Sequence, residues 1–224
     1  MNRYYYEAYD DRYRQVHGEN LMWFAKTPSQ IVMETISELG IDHTDRILEV
    51  GCGEGRDAAC LLKRGYNLLA TDVSKVAIEF CRNRWPEYED RFAVLDCVRG
   101  SLDEHFRFIY AVAVLHMLVE QEDRNRFYRF IRSHLEENGA ALICTMGDGE
   151  MECCSDIRKA FELQERVHGT SGKTLKIAGT SYRAVSSDTF ERELAENGFR
   201  IRRLGLTDIC PDYYKIMYAI VEKS

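Results

Sequence analysis

Residues 47–58 read Ile-Leu-Glu-Val-Gly-Cys-Gly-Glu-Gly-Arg-Asp-Ala, and this segment constrains the fold more than any other. Ile47, Leu48 and Val50 make a short buried-strand run that ends in three glycines at alternate positions, Gly51, Gly53 and Gly55. A helix-like stretch, Arg56 to Arg64, follows at once and is closed by Gly65. Strand, glycine turn and helix N-terminus in that order offer a ligand bare backbone, because glycine allows the tight turn and carries no Cβ to hold the ligand away. A pyrophosphate fingerprint G-x-G-x-x-G would need glycine or alanine at position 56. That position is Arg56, which argues against a nicotinamide-dependent oxidoreductase.

Helix and strand signals alternate along the chain. Leu68-Leu69-Ala70-Thr71-Asp72 is a second apolar strand ending in a carboxylate, about twenty residues after the turn begins, the separation expected of a ribose-binding acid. Further strands are expected in Phe92-Ala93-Val94-Leu95-Asp96-Cys97, in Phe108–Leu118, which holds the strand and the loop after it, and at Ala140–Thr145. Thr27-Pro28-Ser29-Gln30 has the form of a capping box with proline at the first helical position. Ser74 can cap a helix through Arg84, while Phe127, Phe130, Ile131 and Leu135 mark a helix stopped by Asn138-Gly139. Asp188-Thr189-Phe190-Glu191 opens another, ending at Asn197-Gly198. This alternation predicts right-handed crossovers and a parallel sheet. Phe199–Thr207 and Lys215–Val221, joined by a short loop containing Pro211, predict an antiparallel hairpin at the end.

The pattern E-x-G-x-G-x-G, with Glu49 at its head and Asp72 closing the next strand, resembles the first two motifs of class I S-adenosylmethionine (SAM)-dependent methyltransferases. The likeness extends over roughly residues 40 to 150. It implies an α/β, Rossmann-like, seven-stranded and mostly parallel sheet with helices on both faces and a C-terminal antiparallel hairpin. It also implies SAM as cofactor and S-adenosylhomocysteine (SAH) as product. Gly51, Cys52 and Gly53 would meet the methionyl part, Asp72 the ribose hydroxyls, Val73 one adenine face, and Asp96 with Cys97 the adenine edge. Glu49 has two open roles, bonding the methionyl amine or orienting the turn. Gly-Glu-Gly-Arg-Asp-Ala with Leu-Leu-Lys-Arg-Gly-Tyr is more distantly similar to tellurite-resistance and thiopurine methyltransferases.

Composition narrows the class. The chain has 224 residues, 45% hydrophobic, which suits a single domain over 1–224 with a substantial core. A net charge of −7 argues against nucleic acid as the main partner. The run Phe108–Val119 is too short for a membrane span. Eight cysteines are scattered, several of them inside expected core elements, and the chain opens without an apolar signal segment. They read as reduced thiols in the cytoplasm, and Cys153-Cys154 lacks partners at zinc spacing, so no metal site is expected.

Three regions bear on the methyl acceptor. His116 is the candidate general base at the end of the fourth strand; the alternative is a ring that hydrogen-bonds backbone and lines the pocket. Residues 1–26 hold five tyrosines within Tyr4–Tyr13, then Trp23 and Phe24, suiting either a lid or an N-terminal helix docked on the core. Tyr9, Tyr13 and Trp23 are the candidate substrate residues. Residues 151–185 read as a cap insertion: a helix with Ile157, Phe161 and Val167 inward, then Gly169–Gly172, then a hairpin around Ala178-Gly179-Thr180. Its net charge of +2 fits either an anionic acceptor or a solvated face. The expected function is methyl transfer from SAM to a small molecule; a non-catalytic SAM/SAH sensor or partner subunit, or a protein methyltransferase, are the alternatives.

Overall fold

The glycine turn sits at the centre of a seven-stranded mixed sheet. The computed structural model describes residues 3–23, 27–208 and 215–224. Its first five strands are β1 (Arg46–Val50), β2 (Asn67–Asp72), β3 (Phe92–Val94), β4 (Phe106–Val112) and β5 (Leu135–Met146). Parallel pairing joins β3 to β2, β2 to β1, β1 to β4 and β4 to β5. The last two strands, β10 (Phe199–Thr207) and β11 (Ile216–Lys223), form the expected antiparallel hairpin, with β11 laid against β5. The expected loop through Pro211, like Cys210 and the expected lid residue Phe24, lies outside the described residues.

Helices cover both faces because each presents one apolar stripe. On one face lie α2 (Gln30–Leu39), α3 (Arg56–Lys63) and α4 (Lys75–Arg84), packing Ile31, Ile36, Leu61, Leu62 and Ile78 against Ile47, Leu68 and Phe108. On the other, α5 (Gln121–His134) and α6 (Ser187–Glu196) bury Phe127, Ile131, Phe190 and Leu194 against Leu48, Ile109 and Ile143. Strand order reverses at β1, between β2 and β4, so the open crevice lies at the carboxyl ends of these strands.

Three local expectations change. Helix α2 begins at Gln30 with Ser29 as its N-cap, so Pro28 precedes the cap. No capping box forms, because Ser29 turns instead to Asp57, its N–H donating at 2.6 Å and its hydroxyl at 2.8 Å. Helix α5 stops at His134, whose Nε2 accepts the Leu102 N–H at 2.9 Å, and Leu135 already pairs with Phe106. Glycine at 139 falls inside β5 beside the bulge between Phe106 and Phe108; a Cβ there would lie 3.0 Å from the Phe106 carbonyl.

The insertion departs most. Residues 151–185 hold no α-helix; they form one ribbon of β6 (Cys153–Cys154) with β9 (Arg183–Ala184) and another of β7 (Leu163–Val167) with β8 (Thr174–Ala178). The hairpin turn is at Gly169–Gly172, not at Ala178–Thr180, and Val167 is 68% exposed where an inward position was expected. Leu175 and Ile177 of β8 are buried against Val16 of α1 (Ala8–Gly18), a contact that a sequence window confined to the insertion does not contain.

Candidate active site

The turn after β1 is held in the left-handed region at all three glycines, and two of them are fixed by a close approach. At Gly51 (φ 76°) a Cβ would come within 2.3 Å of Val114 Cγ2, so the loop after β4 rests directly on this residue. At Gly55 (φ 73°), the N-cap of α3, a Cβ would meet the Trp85 ring at 2.6 Å and Cys81 Sγ at 2.9 Å. The third glycine therefore serves the packing of the helix start against α4.

Asp72 closes β2 and is buried, and both of its oxygens are already engaged. The Gly53 N–H donates to Oδ2 and the Ser74 N–H to Oδ1, each at 2.8 Å. Burial nonetheless pushes its pKa up to about 6, against those two hydrogen bonds. Asp72 lines a cavity of about 660 Å³ together with Val73, Asp96 and Cys97. Asp96 accepts the Val98 N–H at 2.8 Å and the Tyr6 hydroxyl at 3.0 Å. The Cys97 thiol is pushed up by burial first and then by Asp96 and Asp72, so it stays protonated and reads as wall.

A second chamber of about 440 Å³ opens on the other side of Gly51 and is lined by Glu49, Cys52, Gly53 and the start of α3. Both cavities share Gly51, Val112 and Ala113, the last a non-glycine residue at φ 58°. Glu49 is raised well above the usual carboxylate range, by burial first and then by Asp57.

The N-terminal segment roofs the larger cavity. Tyr6, Tyr9 and Tyr13 all line it, so the rings that dock α1 also form the wall. Besides the Tyr6–Asp96 contact, several other hydrogen bonds dock this segment, among them those of Asp10, Arg12 and Glu54. Asp10 accepts from the Ser74 hydroxyl (2.7 Å) and the Val76 N–H (3.2 Å), adding a second cap to α4. Arg12 donates to the carbonyls of Ala178 (2.9 Å) and Gly179 (2.7 Å) beyond β8. Glu54, inside the glycine turn, bonds His17 Nε2 and accepts the Trp23 N–H, both at 2.8 Å. Trp23 does not line the cavity; its ring lies 4.8 Å from the Arg12 guanidinium, so its place is in holding the roof down.

His116 does not line the cavity either. It sits in the single-turn helix Leu115–Met117 after β4, 3% exposed, with Nδ1 lacking a partner. Burial, then Arg124 and Arg12, hold its pKa down to about 3. An imidazole so depressed is a weak proton acceptor near neutrality. Arg124 is the residue here that sequence reading missed. Fully buried, it donates to Leu115 O at 2.9 Å and to both oxygens of Glu193, at 2.8 and 2.6 Å, which locks the loop against Gly51.

None of the insertion's basic residues lines the cavity. Arg158 pairs with Asp156 at 2.7 Å, Lys173 with Glu19, Lys176 stands opposite Glu165, and Arg183 donates to Val119 O at 3.1 Å. The charge there lies on a solvated face, paired partly within the insertion and partly with Glu19 of the N-terminal segment. Among the described residues no helix is long and apolar enough to cross a membrane, and no cysteine is in a disulfide.

Comparison with known proteins agrees with this geometry. Residues 47–139 match the methyltransferase domain family. Malonyl-[acyl-carrier protein] O-methyltransferase of Acetivibrio thermocellus is 29% identical over 112 residues, covering 46% of this chain and 40% of that protein. The chain thus spans under half the length of the curated relatives it matches. Among solved structures, the glycopeptide N-methyltransferase MtfA in complex with SAM superposes with a TM-score of 0.65 at 21% identity, over 91% of this chain and 97% of that one. A TehB-like SAM-dependent methyltransferase from Corynebacterium glutamicum gives 0.62 at 18% identity, over 97% of each chain. Glycine turn, switch-point crevice and domain match converge on one segment: residues 47–139 match the methyltransferase domain model, and the fold around them is that of solved SAM-dependent methyltransferases.

Proposed function

We propose that this protein transfers the methyl group of SAM to a small-molecule acceptor with a largely apolar body. The observation that carries the reading is Asp72: a buried carboxylate, pinned by the N–H groups of Gly53 and Ser74, at the edge of a cavity that opens where the strand order reverses. A nucleoside suits this arrangement because ribose hydroxyls donate to a fixed carboxylate and contribute about 1.5–3 kcal/mol per charge-assisted bond. Val73 and Cys97 offer apolar walls for adenine and Asp96 an acceptor for its amino group. Glu49 lines the chamber across Gly51, and in this reading it meets the methionyl ammonium.

Bound SAM would supply a methyl carbon already activated by the sulfonium. The protein's tasks are then to align an acceptor and keep water away, effects worth several kcal/mol. Tyr9, Tyr13, Val114, Met117 and Leu118 supply a wall of rings and alkyl groups for that acceptor. Among the described residues that line the cavity there is no Lys, Arg or His. An uncharged acceptor therefore fits better than a carboxylate, and the reading assigns no proton to His116. Calorimetry on the purified protein tests the cofactor half: SAM and SAH should both bind, and uptake of neither sinks it. Transfer of labelled methyl to matched neutral and carboxylated aromatic acceptors tests the other half; preference for the carboxylates would overturn it.

A further inference from the structure

One buried polar group in the wall of the smaller chamber, Glu49, and its neighbour behind that wall, Tyr110, are left incomplete. Glu49 is 4% exposed, and its Oε2 has no hydrogen-bond partner. Tyr110, fully buried on β4, stands opposite Glu49 in the β1–β4 register, and its hydroxyl has no partner either. The other ionisable groups facing Glu49 or lining its chamber are Asp57 and Arg56 of α3, Asp72 of β2, and Cys52 and Glu54 of the glycine turn. Two unsatisfied groups on one face of adjacent strands are costly in a folded core, so their retention calls for a use. Removing the phenol oxygen would ease packing, whereas its presence matters once Glu49 must hold a charge.

We infer that Tyr110 is a positioning residue for the cofactor: its hydroxyl donates to Glu49 and turns that carboxylate toward the methionyl ammonium in the chamber beside Gly51. This rests on the SAM reading above and assigns the ammonium end of that site. On arrival of an ammonium the incomplete pair closes, with the phenol on one side of the carboxylate and the cation on the other.

The test compares two ligands that share the nucleoside, SAH and methylthioadenosine, the second lacking the amino-acid end. Affinities are measured on wild type, Tyr110→Phe, Glu49→Gln and the double variant. Tyr110→Phe should weaken SAH about tenfold, as loss of one charge-assisted hydrogen bond implies, and leave methylthioadenosine within about twofold. In the Glu49→Gln background the same change should have no further effect, and in the single variant the acid-side loss of SAH affinity should begin at higher pH. Because the substitution removes only an unpartnered oxygen, the ligand-free variant should melt no lower than wild type. Unchanged SAH affinity, equal loss for both ligands, or additive effects would overturn the inference. Wild-type protein that binds neither ligand would remove the cofactor reading itself.

Discussion

The floor and the roof of the large cavity are built on opposite plans. The floor is fixed by main chain: Gly51, and an Asp72 whose two oxygens are held by the N–H groups of Gly53 and Ser74, at the ends of strands buried in the sheet. The roof is side chain: Tyr9 and Tyr13 on α1, with Tyr6 in the turn before it, tied down by Asp10, Arg12 and Glu54. Backbone cannot be altered by substitution except through glycine, so the floor is suited to an unvarying ligand. Rings on a docked helix can be exchanged one at a time without touching the sheet, which suits the part that recognises the variable reactant.

The sharpest way to break this contrast is Gly51→Ala. It forces a left-handed alanine into Val114 and should cost about 3 kcal/mol or more, read as roughly a hundredfold loss of SAH affinity by calorimetry. Asp72→Ala should follow, weakening SAM by about one to two orders of magnitude while acceptor preference stays as it was. Titration of Asp72 gives the next effect. Its value rises from 3.8 to about 6 in the ligand-free fold, so this group favours the empty fold below pH 4 and that advantage is lost as pH climbs through 6. Cofactor binding has the opposite sign because it needs the carboxylate: affinity should fall by about tenfold per pH unit below 6. On the roof, Tyr6→Phe removes one hydrogen bond to Asp96 and should speed SAH release about three- to tenfold in stopped flow. Smallest of all, His116→Gln should leave kcat at saturating acceptor within about twofold; a loss of a hundredfold would restore the imidazole as a base.

The floor was the legible part of the chain. Apolar runs ending in Gly51 and Asp72 specify two buried parallel strands, because nothing else buries so many consecutive aliphatic residues over so short a length. The roof's aromatics were visible as Tyr4–Tyr13, but not what they touch. Glu54 meets His17 and Trp23 across 37 and 31 residues, and Arg124 meets Glu193 across 69, contacts that leave no local periodicity. The ribbons at 151–185 failed for a related reason. Strand β7 is exposed along its whole length and its polar residues copy a solvated helix, while the burial that selects β8 comes from α1, more than 150 residues earlier.

Asp10 has a further consequence. It is a cap supplied to α4 from outside, and α4 begins immediately after the Asp72-Val73 corner. If the first helix peels away, the second loses part of its N-terminal satisfaction, and the corner under the sugar loses its brace in the same movement. Opening of the roof and slackening of the Asp72 corner are therefore coupled, and among the ties that hold the first helix Asp10 is the one that links the two.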